Sequence, residues 1–159
     1  MIRGRLVELR PASEDDLDLL AGWFGDPQFV VWWGGEPLPR EIVSDKYTGR
    51  RAPGVESYIV EEHGQPVGYI QAWTDDGGRG GGGGVDLALV PSAQGRGLGP
   101  DAGRALAEHL VGRGWNPVLA DPALDNVVAI RAWEKAGFVS EGEWPNHPDG
   151  PSLRMVFRG

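Results

Sequence analysis

The sequence predicts a single α/β domain, residues 1–159, built round a mixed sheet. Three observations lead there. A chain of 159 residues suits one domain with one core. Its 40% hydrophobic content and seven Trp match a packed globule better than a disordered acidic segment. Short strand-like segments alternate with longer ones of helical spacing, in the order β-α-α-β-β-β-α-β-α-β-β, with no internal repeat.

The elements follow from local chemistry. "RGRLVELRPA" reads as one edge-type strand, with Leu6 and Leu9 among polar neighbours. Ser13 opens a helix, Asp16 lies at capping-box spacing, and Leu17, Leu20, Trp23 and Phe24 form its apolar stripe. Gly25-Asp26-Pro27 stops it. After "FVVWWGGEPLPR" comes a second helical stretch at about residues 39 to 50. "VESYIVEEHGQPVGYIQAWTDD" reads as two strands joined at His63-Gly64. "GGRGGGG", residues 77 to 83 and onward to Gly84, reads as a long flexible hairpin loop. "VDLALV" is a buried strand, and a glycine turn and helix follow it. "PVLAD" is a further strand, and "DNVVAIRAWEKAG" is a helix with Gly137 as its C-cap. Strands around "FVSEGEW" and "SLRMVFR" end the chain.

Composition narrows the chemistry. Without Cys there is no disulfide framework, thiolate metal site or cysteine nucleophile. Three histidines, His63, His109 and His147, make a histidine metal site a poor expectation, so no metal is expected. "MIRGRLVELRPASEDD" lacks the apolar core of a signal peptide, and no apolar run approaches a membrane span. A cytoplasmic protein without a membrane partner is the expectation. The net charge of −8 and pI near 4.8 disfavour nucleic acid and favour a cationic small molecule, unless the acidity serves solubility alone.

The chemistry-bearing stretch is "SAQGRGLGPDAGRALAEHL", residues 92 to 110. Glycines before a helix present N–H groups to phosphate. A dinucleotide fingerprint starting at Gly95 would need glycine where Pro100 stands, and one starting at Gly97 would need it at Ala102. A Walker loop fails too, because Pro100-Asp101 follows Gly99. The pattern present is Q-x-x-G-x-G, spelled by Gln94, Gly97 and Gly99, between a strand and a helix. It resembles the acyl-CoA pyrophosphate loop of the GCN5-related N-acetyltransferase superfamily. The physics agrees: the glycines let the backbone approach a diphosphate, the helix dipole favours the anion, and Pro100 suits a first helical turn. A plain tight turn before a helix is the alternative.

"VVWWGGEP", "ESYIVEEHGQPVGYIQAW", "GVDLAL", "ADPALDNVVAIRAWEKAGF" and "HPDGPSLRMV" resemble the aminoglycoside 6′-N-acetyltransferases, in order and over nearly the whole chain. The resemblance implies a mixed, mostly antiparallel sheet flanked by about four helices. It implies transfer of an acetyl group from acetyl-CoA to an aminoglycoside. Gln94, Gly95, Arg96, Gly97, Leu98 and Gly99 would hold the diphosphate of the donor. The backbone of Leu89 and Val90 would bind the pantetheine arm as an extra strand, a backbone amide near Val90 would polarise the thioester carbonyl, and Asn126 would lie near the arm. Asp86 would bind the attacked amine and help deprotonate it, Asp121 would hold a cationic ring, and Trp32 and Trp33 would wall the drug pocket.

Simpler roles stay open at these positions. Asp86 could be a surface carboxylate, though a lone acid inside "VDLALV" is unusual. Asp121 could merely begin a turn with Pro122. Trp32 and Trp33 could be core, and in an extended segment only one of them faces inward. Asp75 and Asp76 read as loop, while Glu143 and Asp149 are lesser candidates.

Chemically, direct attack needs no covalent intermediate, in keeping with the absence of Cys. An unperturbed carboxylate, pKa about 4, is a weak base, so binding and orientation should matter more than basicity. Two departures stand out. Where relatives commonly read Y-E-K-A-G-F, with a Tyr placed to protonate the leaving thiolate, this chain has Trp133, whose indole cannot give up a proton. Where relatives often carry an acidic, aromatic flap, "DDGGRGGGGG" predicts a looser pocket. Two other functions fit the same residues: acetylation of another amine (polyamine, siderophore precursor or protein N-terminus), or binding of acyl-CoA or aminoglycoside with little turnover. Monomer and homodimer both remain open.

Overall fold

The centre of the fold is a hairpin that the sequence specifies tightly. β3 (Val55–Glu62) and β4 (Gln65–Thr74) pair antiparallel across a turn in which His63 and Gly64 both have positive φ, 50° and 77°. Such turns match the twist of the flanking strands. The computed structural model describes residues 1–74 and 81–159, and among these eight strands form one sheet in the order β1-β2-β3-β4-β5-β6-β8-β7. The remaining strands are β1 (Ile2–Arg3), β2 (Glu8–Pro11), β5 (Gly83–Leu89), β6 (Val118–Ala120), β7 (Phe138–Glu143) and β8 (Leu153–Phe157). All neighbours are antiparallel except β5 and β6.

Alternation along the strands sorts the core into two layers. Ile59 and Tyr69 face α1 (Leu17–Phe24) and α2 (Arg40–Tyr47), packing with Leu20, Phe24, Val43 and Tyr47. Tyr58, Val60 and Ile70 face the other way, toward α3 (Leu98–Gly112) and α4 (Val127–Ala136), among Leu98, Leu106, Leu110, Trp133 and Phe138. The expected α/β class, mostly antiparallel sheet and four helices are all present.

β5 and β6 touch only where Gly83 meets Val118 and Gly84 meets Leu119. Beyond Gly84 the two parallel strands part, and the edge of β5 from Val85 to Leu89 has no strand partner among the described residues. The divergence opens a cleft in the middle of the sheet, with the N-terminus of α3 at one end. On the other side of β5 the pairing with β4 is continuous from Gly83 to Leu89.

Three local expectations change. The N-terminal strand is a small hairpin, β1 against β2, because the backbone turns at residues 4 to 7 to reach the first turn of α3. There the Asp101 carboxylate accepts the N–H groups of Arg5, Leu6 and Val7 at 2.9, 2.7 and 3.0 Å. A side chain at Gly4 would collide with that carboxylate. Helix α2 is shorter than the expected 39 to 50, with Pro39 at its N-cap. Gly83 and Gly84 are strand, not loop: both are buried, and a side chain on Gly84 would strike the Trp73 indole. Residues 75 to 80, which carry the first half of the expected loop together with Asp75 and Asp76, lie outside the described residues.

Candidate active site

Strand register brings Asp86 to the cleft. It pairs with Gln71 across β4 and β5, on the face that also carries Tyr69 and Ser57. These polar groups form one directed chain. Gln71 Nε2 donates to Asp86 Oδ2 at 2.9 Å, so Gln71 Oε1 is left to accept from the Tyr69 hydroxyl, also at 2.9 Å. With the Tyr69 proton committed, Ser57 donates to Tyr69 across 2.7 Å. Burial holds the Tyr69 phenol far above its ordinary range, so it stays a donor at every working pH.

Two further carboxylates converge on Asp86. Asp121 follows directly after β6, the strand that parts from β5, and lies within hydrogen-bonding reach of Asp86. Asp149 comes from the connection between β7 and β8. Asp86 keeps part of its surface open to solvent, yet enough of its carboxyl is enclosed that burial is the main cause of a raised pKa. The charge of Asp121 comes next and that of Asp149 adds to it, while the Gln71 amide acts in the opposite sense. Together they push Asp86 from 3.8 up to about 7. Three acids gathered in this way repel one another until a cation joins them.

The roof over this chain is aromatic. Trp33 Nε1 donates to the Tyr47 hydroxyl at 2.7 Å, and both rings lie edge-on to Tyr69, with centroids 5.8 and 5.2 Å away. Burial, and then the nearby Asp86 charge, raise the Tyr47 pKa despite the Trp33 donation. Residues 28 to 36 are a series of turns and bends with no strand. Trp33 therefore packs inward against Phe24 and Tyr47, while Trp32 stays 56% exposed.

The glycine stretch before α3 has the geometry its residues suggest. Gly95 and Gly97 take positive φ values of 75° and 81°, and Gly97 is the N-cap of α3. Gly99 is already helical; a side chain there would meet Leu87 and Leu89 only at ordinary contact distance, so no left-handed backbone explains it. The Leu98 side chain is buried, leaving its backbone for a ligand. Arg96 forms an ion pair with Glu62, Nη2 lying 2.6 Å from each carboxylate oxygen.

Gln94 Nε2 donates to the Leu89 carbonyl at 3.2 Å, tying the loop to the open end of β5. The Val90 N–H is committed to Val67 O at 2.9 Å. The amide expected near Val90 is therefore not that of Val90 itself. Alternation along the strand turns the Leu89 N–H to the unpartnered edge instead. Asn126 caps α4, its Oδ1 accepting the Ala129 N–H at 3.2 Å.

Trp133 is a packing residue. It is buried between α3 and α4, with Phe138 edge-on at 5.0 Å, and a side chain added at Gly103 would sit 2.7 Å from its Cζ3. The indole N–H makes no hydrogen bond among the described residues. No group of three His, Cys, Asp or Glu suited to a metal occurs among them.

Sequence reasoning passed over Gln71, Tyr69, Ser57, Tyr47 and His147. A signal existed for the first two: "YIQAW" alternates within a strand, and its polar Gln71 interrupts an apolar run as Asp86 does in "VDLALV". His147 opens the family-like stretch "HPDGPSLRMV", but nothing in that stretch marks its imidazole for a role.

A sheet parted between two parallel strands, a left-handed glycine turn at a helix N-terminus and an acid on the parted edge define an acyl-CoA-dependent transferase architecture. The sequence agrees. A model of the acetyltransferase (GNAT) domain matches residues 12–145, and the chain belongs to that family. Within it the kinship is with aminoglycoside N(6′)-acetyltransferases. The type 1 enzyme of Klebsiella pneumoniae is 35% identical, over 94% of this chain and 82% of that protein. The structure of AAC(6′)-Ib in complex with ribostamycin and coenzyme A superposes with a TM-score of 0.86 at 35% identity, covering 96% of this chain and 93% of that one. The same enzyme with paromomycin and acetyl-CoA gives 0.84 at 33% identity, with the same coverage. No helix among the described residues is long and apolar enough to cross a membrane.

Proposed function

We propose that this protein transfers an acetyl group from acetyl-CoA to the 6′-amine of an aminoglycoside, by direct attack in a ternary complex, and can thereby confer resistance. The observation that carries the proposal is Asp86, with a pKa near 7, on the unpartnered edge of β5 beside Asp121 and Asp149. A polycationic sugar is the ligand class that relieves repulsion among three acids, and the open β5 edge offers backbone groups to a pantetheine arm.

The chemistry follows from these groups. The substrate arrives as an ammonium, and Asp86 in its ionised form accepts one proton from it. A base near 7 is better matched to this task at neutral pH than an ordinary carboxylate. The freed nitrogen lone pair attacks the thioester carbon, the carbonyl π pair moves to oxygen, and an edge N–H such as that of Leu89 stabilises the oxyanion. As the carbonyl re-forms, the C–S bond breaks, its electron pair leaves on sulfur, and the nitrogen, made cationic by the attack, gives its second proton to solvent. Trp133 supplies no proton here, so the sulfur departs as a thiolate and is protonated by solvent. Its basicity, like that of a cysteine at about 8.5, makes this a tolerable leaving group.

Gln94 to Gly99 hold the donor diphosphate through the α3 N-terminus, and Asn126 flanks the arm with the side-chain NH₂ group its cap leaves over. Trp33 and Trp32 bound the sugar. We assign this activity to the cytoplasm, in a monomer or homodimer. The test is product mapping by NMR after turnover with acetyl-CoA and kanamycin. A single acetyl group on the 6′-nitrogen is expected, and acetylation at another nitrogen or none overturns the assignment.

A further inference from the structure

His147 lies in the connection between β7 and β8, where the sequence assigns it no role, yet it is fastened on both ring nitrogens. Nε2 is 2.6 Å from Asp121 Oδ2. Nδ1 accepts the Asp149 backbone N–H at 3.1 Å. A neutral imidazole has one donor and one acceptor, so the second bond fixes the direction of the first: the proton is on Nε2, and His147 donates to Asp121. The ring is clamped as well. Its side chain is 6% exposed, and Trp144 meets it edge-on at 5.3 Å, with the Arg154 guanidinium 5.7 Å from the Trp144 ring.

One imidazole thus controls both of the acids that converge on Asp86. It takes up one oxygen of Asp121, which limits how that carboxylate can rotate, and it pins the backbone of Asp149. We propose that His147 is a positioning residue for the cationic substrate: through its Nε2–H it orients the Asp121 carboxylate toward the ammonium groups of the bound amine. The inference rests on the aminoglycoside reading and deepens it, adding a residue that determines acceptor affinity while leaving the donor site alone.

The two bonds of His147 can be separated by substitution. His147→Gln keeps an N–H near the Nε2 position and loses the acceptor for Asp149. His147→Asn keeps an acceptor near Nδ1 and falls short of Asp121. His147→Ala loses both. Calorimetric Kd values for kanamycin and for CoA are measured on the wild type and all three variants, with Tm as a check on folding. The expected result is a kanamycin Kd raised roughly tenfold or more in the Ala and Asn variants. The Gln variant stays within about threefold of wild type, because a charge-assisted bond is retained. CoA binding is unchanged throughout.

Equal kanamycin affinity in all four proteins overturns the inference. So does a Gln variant as weak as Ala, or a parallel loss of CoA affinity and Tm, which marks a merely structural role. If the wild type binds kanamycin with this pattern but does not acetylate it, the function proposed above fails and the role of His147 stands. If the wild type binds none, both fail.

Discussion

Gln71 and Asp86 are direct cross-strand partners on β4 and β5, and the amide of one donates to the carboxylate of the other at 2.9 Å. This is the contact that lowers the Asp86 pKa against burial and two neighbouring acids. Replacing Gln71 with Leu removes it and leaves the raising influences in place. In the wild type, kcat/KM falls as pH drops through about 7, where Asp86 takes up a proton and ceases to be a base. In Gln71→Leu that acid limb moves to higher pH. A limb that stays in place, or moves down, contradicts the assignment of the base.

Asp86→Asn removes the proton acceptor while nearly keeping the shape. Turnover is expected to fall by roughly 10²–10⁴-fold. Stability should respond in the opposite sense. The folded-state pKa of Asp86 lies near 7, above an unfolded value of about 3.9. Between these values the folded protein holds the extra proton, so wild-type stability falls as pH rises toward 7 and remains lowered above it. Asn does not ionise. The Tm advantage of the variant over wild type therefore grows from about pH 4.5 to pH 8, and thermal melts at both pH values check this.

Tyr69→Phe leaves the aromatic cluster in place and cuts the hydrogen-bond chain at its middle. Gln71 then loses the donor that fixes its amide. A buried hydrogen bond contributes about 1 kcal/mol, which corresponds to about a fivefold loss in kcat/KM. Loss of activity as complete as in Asp86→Asn would instead make Tyr69 part of the chemistry.

The packing of Trp133 against Gly103 yields a prediction about stability. Gly103→Ala puts a methyl group 2.7 Å from the Trp133 Cζ3 and 3.6 Å from the Ala136 Cβ, which overpacks the α3–α4 contact. The expected loss is about 1–3 kcal/mol, with Tm lowered by roughly 2–4 °C per kcal/mol. Trp133→Phe, which thins the same contact, should lower Tm and leave the alkaline limb of the kcat profile unchanged, since the indole gives up no proton. An altered limb would mean that Trp133 does more than pack.

The elements legible in the sequence are those whose information is local. Ser13 and Asp16 form the capping box their spacing suggests, His63-Gly64 makes the hairpin turn, and Gly137 caps α4 with a φ of 107°. The glycine turn before α3 was legible for the same reason, because closely spaced glycines before a helix are a contiguous signal. What stayed hidden depends on contacts distant in sequence. The first strand is split because residues 5 to 7 answer Asp101, some 95 positions away. Gly83 and Gly84 read as loop until Trp73 is seen to cover them. Asp121 was legible as a candidate, but its His147 partner comes from a connection in which nothing local marks the imidazole. Asp86 stood out as an acid in an apolar strand, whereas its raised pKa arises first from burial and then from Asp121 and Asp149, which only the folded sheet brings about.

The measurement that bears most directly on the account is thiol release from acetyl-CoA with aminoglycosides that carry a 6′-amine, matched against counterparts with a 6′-hydroxyl. Spermidine and a peptide amine are run alongside. The account predicts turnover with the 6′-amines and none above background with the hydroxyl counterparts, the polyamine or the peptide. CoA binding without turnover of any aminoglycoside would contradict it. Release with spermidine or the peptide would then redirect the acidic site to another amine, and silence throughout would leave a binding protein.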